Sequence, residues 1–323
     1  MTGQPQYYGS EWLHEFAEKP VLFECRGSTL QGILHRARIA RRAPGVLIIV
    51  GGPQYRVGSH RQFLYLARRL ATAGYPVFRF DIRGMGDSGG EQVMFEESAP
   101  DIMAALGAFR AEERDLEGVV LWGLCDAASA ILMHGVADRD VRGAVLLNPW
   151  VRSDATLAGA RIANYYGNRI SSPDFWKKLL SGKVDIWVSI QGFLADWRKN
   201  AARRWLSRKR VERSESSGTS SADFRERMLA GFEHHRKPVL LILSGSDLTA
   251  GEFVELCRAD QRWERQLSRD GVMIKRLEGA DHTFSSADWR GTVENWTLNW
   301  LDGFADEQTV PVSVSSEKNE MVQ

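Results

Sequence analysis

The sequence predicts an α/β fold: a mostly parallel, doubly wound sheet with a helical cap inserted into it. Three observations carry that expectation. β-branched runs alternate with helical stretches from Val21 to Asn148. The alternation stops at Pro149-Trp150 and resumes at Pro238. The interval between differs in composition from everything around it.

Taken in order, Val21–Cys25 and Leu30–His35 read as two short strands joined by turn residues. Gly45–Val50 is a continuous apolar run, as expected of a strand buried on both faces. Ser59 stands where a helix N-cap is expected, ahead of Arg61–Ala73 with its helical apolar spacing and Gly74 at the far end. Pro76–Ile82 reads as a strand, Glu97–Glu113 as a helix, and Val119–Leu124 as a strand. Asp126–Ala137 follows as a small-residue helix, and Gly143–Asn148 as a strand. After Pro238 come the strand Val239–Leu243, one helix over Glu252–Leu267, the strand Val272–Leu277 and a helix over Ala287–Phe304. The core therefore spans 1–149 and 237–304, the cap 150–236, and 305–323 reads as a disordered tail.

Charge separates cap from core. The chain carries 42 basic and 41 acidic side chains, a net charge of +1. That balance excludes the basic excess of a dedicated nucleic-acid binder, and the apolar content excludes a disordered chain. Val151–Arg236 holds 17 of the Lys and Arg but only 9 of the Asp and Glu, leaving 25 against 32 elsewhere. The same interval is rich in aromatics, including Trp176 and Trp187, and contains the Ser/Gly-rich linker Ser214–Ser221. A helical lid over an apolar pocket fits this pattern. The basic run Arg203–Arg213 reads as the solvated face of an amphipathic helix.

No apolar run is long enough for a membrane span, and Met1–Ser10 is too polar for a signal core. Cys25, Cys125 and Cys257 give neither a disulfide framework nor metal-ligand spacing. A reducing, cytoplasmic setting is expected, with no metal and no other cofactor. A homodimer stays open.

One cysteine stands in a chemically suggestive place. Gly123-Leu124-Cys125-Asp126-Ala127 marks the exit of a buried strand into a small-residue helix. A nucleophile on such a turn needs a strained backbone, with small residues two positions to either side so that strand and helix can approach. The helix N-terminus favours a thiolate, and the amide of Asp126 is an expected oxyanion donor. The consensus is G-x-S-x-G; here the nucleophile is Cys and the last position Ala. Chain order then assigns Asp247, in Ser244-Gly245-Ser246-Asp247, as the acid, and His282, in Gly279-Ala280-Asp281-His282-Thr283-Phe284, as the base. Both lie past C-terminal strand ends, where open α/β sheets place their sites. The alternative reading of Asp247 is a turn or helix-cap aspartate. Asp281 is expected to shape its loop. The second oxyanion donor belongs to Gly51-Gly52-Pro53-Gln54; Pro53 has no N–H, so Gly52 or Gln54 supplies it. His60, Trp150 and Trp176 are candidate substrate contacts.

Gly86-Asp87-Ser88-Gly89-Gly90 is a decoy. It matches G-x-S-x-G, but no strand runs directly into it. Asp81, Arg83 and Asp87 read as pins of a structural turn. His134 reads as packing, and His234 and His235 as solvated.

Together these residues resemble an α/β-hydrolase-fold enzyme with a cap, over about Val21 to Phe304. The segments 51–61, 79–88, 123–126 and 281–284 further resemble the exosortase A system-associated hydrolase 1 family. That resemblance implies a bacterial protein linked to extracellular polysaccharide and protein-sorting loci. The expected activity is hydrolysis of an ester or thioester through an acyl-cysteine. The excess positive charge of the cap favours an anionic donor such as an acyl-CoA ester or an acyl-carrier protein. The alternatives are transfer of the acyl group to an amine or alcohol, a non-catalytic scaffold on a hydrolase fold, and a redox-sensitive thiol without turnover.

Overall fold

The computed structural model describes residues 16–37, 44–51, 54–135, 139–151, 221–234 and 236–306. The chain divides into two compact units, Met1–Val151 with Glu226–Gln323, and Arg152–Arg225. The sheet and the site described below belong to the first. Most of the expected cap, and the expected tail beyond Asp306, lie outside the described residues.

Eight strands form one sheet: β1 (Phe16–Cys25), β2 (Ser28–Ala37), β3 (Gly45–Ile49), β4 (Val77–Phe80), β5 (Val119–Leu124), β6 (Val141–Leu147), β7 (Val239–Ser244) and β8 (Val272–Leu277). Their spatial order is β1-β2-β4-β3-β5-β6-β7-β8. The β1–β2 hairpin is antiparallel and joins antiparallel to β4; every pairing from β4 through to β8 is parallel. This is the expected sheet with an antiparallel edge. Strands β3, β4, β5 and β7 are buried at every residue, as their largely apolar runs require; the polar exceptions are Arg79 of β4 and Ser244 of β7. Gly32 of β2 is needed for the hairpin to seat: a Cβ there would lie 2.4 Å from Cζ of Phe78. The far edge is less protected, with Met273 and Ile274 of β8 each 46% exposed.

The described helices are α1 (Gln62–Thr72), α2 (Ala99–Glu112), α3 (Asp126–Ala130), α4 (Ser221–His234), α5 (Leu248–Ala259), α6 (Gln261–Leu267) and α7 (Ala287–Asp306). Helix α1 buries Phe63, Leu66, Ala67, Leu70 and Ala71, an i, i+3, i+4 stripe, against one sheet face. Helix α7 closes the same face with Val293 and Leu301. Trp122 of β5 sits at the centre, edge-on to Phe63 with ring centroids 5.5 Å apart. Its indole N–H donates to Oγ1 of Thr297 at 3.4 Å. Truncating such a side chain costs about 3–5 kcal/mol, so this packing anchors the strand that carries Cys125.

Three local expectations are corrected. Ser59 does not cap α1. It begins a short 3₁₀ turn, Ser59–Arg61, and makes no side-chain cap bond. The carbonyl of Val57 instead accepts from the amides of Phe63 and Leu64, so α1 starts later. The single helix over Glu252–Leu267 is two, because Asp260 adopts an extended backbone and caps α6 through Arg262 N at 2.8 Å. The helix after Cys125 keeps α geometry only to Ala130; a π turn, Ile131–Gly135, follows.

Candidate active site

Strand β5 delivers Cys125 into a turn with φ 62° and ψ −123°. A non-glycine residue there stores about 1–3 kcal/mol of strain and needs its surroundings to hold it. They do. The Cys125 amide donates to Leu147 O at 2.8 Å, and its carbonyl accepts from the amides of Ser129 and Trp150, each at 3.2 Å. The small residue expected two positions before the cysteine is a packing requirement: a Cβ at Gly123 would fall 2.7 Å from Cδ1 of Ile131 and 2.9 Å from the Ala127 carbonyl carbon. Gly51, at the exit of β3, presses on the same turn. A Cβ there would lie 2.0 Å from Oδ1 of Asp126 and 2.6 Å from Ala127 N. The strand exit expected to supply one oxyanion donor therefore abuts the residue expected to supply the other. Gly52 lies outside the described residues. Gln54 is half-buried, and its Oε1 is buried without a hydrogen-bond partner.

Asp247 stands at a helix cap and within hydrogen-bonding distance of His282. It is the N-cap of α5, with Oδ1 accepting from Thr249 N at 3.2 Å and Oδ2 from Ala250 N at 3.1 Å. The same Oδ2 lies 2.8 Å from Nδ1 of His282. The cap thus fixes the carboxylate, and the carboxylate fixes the ring. Burial opposes charge on His282, but the hydrogen bonds to Asp247 and Cys125 prevail and push its pKa up to about 10. With Nδ1 on Asp247, the Cys125 thiol is left to Nε2. The structure brings Cys125, Asp247 and His282 together at the C-terminal ends of β5, β7 and β8. Among the described residues no cluster of His, Cys, Asp or Glu is arranged to hold a metal ion.

The profile of the Alpha/beta hydrolase family matches residues 46–294. The chain belongs to the α/β-hydrolase family. No curated protein matches it. Among solved structures, an esterase of Pyrococcus furiosus is similar at TM-score 0.61 and 17% identity, over 90% of this chain and 92% of that one. Est1E of Butyrivibrio proteoclasticus, solved with ferulic acid bound, is similar at TM-score 0.57 and 14% identity, over 88% and 99%. A dienelactone hydrolase of Anabaena variabilis is similar at TM-score 0.55 and 16% identity, over 90% and 99%. At these identities the likeness is one of fold.

The other cysteines of this α/β-hydrolase are sequestered. Burial raises the Cys25 thiol and pushes Cys257 up to about 12. Ser88 is structural: its hydroxyl donates to Asp81 O at 2.7 Å and accepts from Gln31 N at 2.9 Å. Arg83 pins the same turn through Asp101, with Nε and Nη2 at 2.8 and 2.9 Å from its two carboxylate oxygens. Asp281 shapes its loop as expected, accepting from the amides of Thr283 at 3.2 Å and Ser285 at 3.0 Å. His134 packs with Nε2 3.0 Å from Glu96 O. His60 is exposed, and it and Arg61 both have left-handed backbones, φ 52° and 62°. Trp150 is half-buried, and its carbonyl accepts from Ser129 Oγ at 2.7 Å. Trp176 and His235 lie outside the described residues.

Two supports of this α/β-hydrolase site escaped sequence reasoning. Arg56, two residues past Gln54, is gripped on both sides of its backbone. Its amide donates to Asp81 Oδ1 at 2.7 Å, and its carbonyl accepts from Arg79 Nη1 at 3.0 Å. Its guanidinium pairs with Asp81 and, at 2.8 Å, with Asp87. Asp81 is fully buried and Arg79 nearly so, so the loop after β3 is tied to the end of β4. The signal was available: an arginine and an aspartate two apart at the end of a buried strand demand buried partners. The second support is Asn148, fully buried with φ 43° at the end of β6. Its side chain bonds to Ser244 and to the backbone of His282. A polar residue closing an apolar strand is a weak signal, and the partner strand is not readable from it.

Proposed function

We propose that this protein is an acyl-group hydrolase acting on an ester or thioester, with Cys125 as nucleophile, His282 as base and Asp247 as orienting acid. The single observation that carries this reading is the arrangement of His282, with Nδ1 2.8 Å from Asp247 Oδ2 and its other face toward the strained Cys125. The thiol proton passes to Nε2 of His282, and the thiolate sulfur attacks the acyl carbonyl. The oxyanion so formed is stabilised by the amide of Asp126 and by that of Gly52 or Gln54. His282 then returns the proton to the departing alcohol or thiol as the carbonyl re-forms, leaving an acyl-cysteine. Water, deprotonated by His282, resolves it to a carboxylic acid and the free thiol.

A second reading rests on the identity of the nucleophile. An acyl-cysteine is a thioester with a good leaving group, so an amine or alcohol can replace water in the last step. The protein is then an acyltransferase. In either case His60, Trp150 and Trp176 are the proposed substrate contacts. The cationic interval from Val151 to Arg236 favours an anionic donor such as an acyl-CoA or an acyl-carrier protein. The resemblance of its motifs to the exosortase A system-associated hydrolases supports a role for such a donor in polysaccharide or protein-sorting chemistry.

The reading is tested by intact-protein mass spectrometry after mixing with short-chain thioesters and p-nitrophenyl esters, with and without amine and alcohol acceptors. An acyl adduct on Cys125 that decays to free acid supports hydrolysis; decay to an amide or ester of the acceptor supports transfer. No adduct and no turnover with any donor would favour a scaffold on a hydrolase fold.

A further inference from the structure

We infer that Asn148 and Ser244 form a strap that positions His282, so that Asn148 is a positioning residue of the proposed reaction. The inference rests on the Cys125–His282–Asp247 reading and concerns residues that reading does not use.

Asn148 uses both side-chain N–H donors and one acceptor site of its oxygen at this one place. Its Nδ2 donates to Ser244 Oγ at 2.7 Å and to the carbonyl of His282 at 3.0 Å. Its Oδ1 accepts from Ser244 N at 2.8 Å, and its own amide donates to Ile242 O at 3.1 Å. Ser244 Oγ continues the chain by donating to the carbonyl of Asp281 at 2.8 Å. Two consecutive carbonyls of the loop after β8, at Asp281 and His282, are thus held by side chains at the ends of β6 and β7. Downstream, the Asp281 carboxylate holds the amides of Thr283 and Ser285 and the Ser285 hydroxyl. The loop is tied before and after the imidazole, and Asp247 fixes the ring itself.

The residue types follow from the bonds. Only an amide can donate twice and accept once here. An aspartate would place acceptor against acceptor at the His282 carbonyl. The left-handed backbone at 148 suits asparagine or glycine and disfavours most other residues. Because the strap grips the backbone of His282, slack in it becomes displacement of the ring from Cys125. A displacement of about 1 Å can cost about 100-fold in rate. A residue that merely filled space would lower stability without changing the chemistry of Cys125.

The test uses the full chain and compares Asn148→Gly, Asn148→Asp, Ser244→Ala and His282→Ala. Glycine suits φ 43°, so Asn148→Gly removes the amide while sparing the backbone; Ser244→Ala keeps the assay open should a variant at 148 fail to fold. The readout is the rate of chloroacetamide alkylation at Cys125, mapped by mass spectrometry, as a function of pH. Circular dichroism checks folding. Asn148→Gly and Asn148→Asp are expected to slow alkylation about 10-fold or more and to move its pH profile toward that of His282→Ala. Ser244→Ala should move it part of the way. If His282→Ala slows alkylation while Asn148→Gly stays within twofold of wild type with an unmoved profile, the strap is wrong and the triad reading stands. If His282→Ala itself leaves Cys125 alkylation unchanged, the triad reading falls and the strap with it.

Discussion

His282 and His35 stand in opposite environments within one sheet. His35, in β2, is fully buried, and Nε of Arg79 donates to its Nε2 at 2.8 Å. A nitrogen that accepts from a guanidinium cannot also carry a proton. Burial and the adjacent cations push His35 down to about 2. His282 is partly exposed and faces Asp247 and Cys125, which push it up to about 10. Burial disfavours charge at both; the sign of the neighbours decides the outcome. One cluster keeps its imidazole neutral, and the other favours a proton on the imidazole beside the strained Cys125.

Replacing Asp247 tests the raised histidine most severely. Asp247→Asn removes the negative partner, so the pKa of His282 should fall from about 10 toward its ordinary 6.5. The alkaline limit of kcat/KM moves down with it, and kcat drops by roughly 10³–10⁴-fold. A pH–rate profile on the short-chain ester checks both. An unmoved alkaline limb would show that Asp247 is only the cap of α5.

The lowered histidine belongs to a network centred on Asp81. Asp81→Asn leaves the buried Arg56 guanidinium with the exposed Asp87 alone, and is expected to cost about 3–5 kcal/mol in urea unfolding. His35 itself gives a pH signature. Its folded pKa lies below the unfolded value, so its contribution is full above about 6.5 and is lost as pH falls toward 2. His35→Gln should flatten the decline in stability between pH 6.5 and 4, and the His35 ring should show no NMR titration between pH 4 and 8.

The smallest effect expected is at Glu294 in α7, which is 3% exposed. Burial outweighs the attraction of Arg290 and Arg69 and pushes it up to about 7. A carboxyl whose folded pKa is raised contributes most below its unfolded value, and that contribution is lost as pH rises through about 7. Glu294→Gln should therefore raise Tm at pH 8, by a difference worth about 1–3 kcal/mol, and leave it nearly unchanged at pH 5. An equal shift at both pH values would contradict the ionisation.

The sequence showed most clearly what local chemistry imposes. Buried strands announce themselves in GVLIIV and VLLIL, and Gly123 before Cys125 marks a turn where no Cβ fits. Asp247 was legible beyond the buried strand β7, and His282 beyond the partly exposed β8. What escaped depends on register between strands distant in the chain. Asn148 matters because β6 lies beside β7, which brings its side chain within reach of Ser244, and nothing near position 148 reveals that. The grip on Arg56 likewise requires β3 to lie beside β4. Ser59 misled because a backbone carbonyl, that of Val57, took over the capping its side chain was expected to perform.

The proposed role of Cys125 as a nucleophile served by His282 is tested most directly by site-resolved labelling. The chain is treated with a limiting amount of chloroacetamide at pH 7, and the adducts are quantified at all three cysteines, in wild type and in His282→Ala. Labelling is expected only at Cys125 in the wild type, because burial raises the thiols of Cys25 and Cys257, and is expected to be lost in the variant. Equal labelling of the three cysteines, or Cys125 labelling indifferent to His282→Ala, would contradict that role.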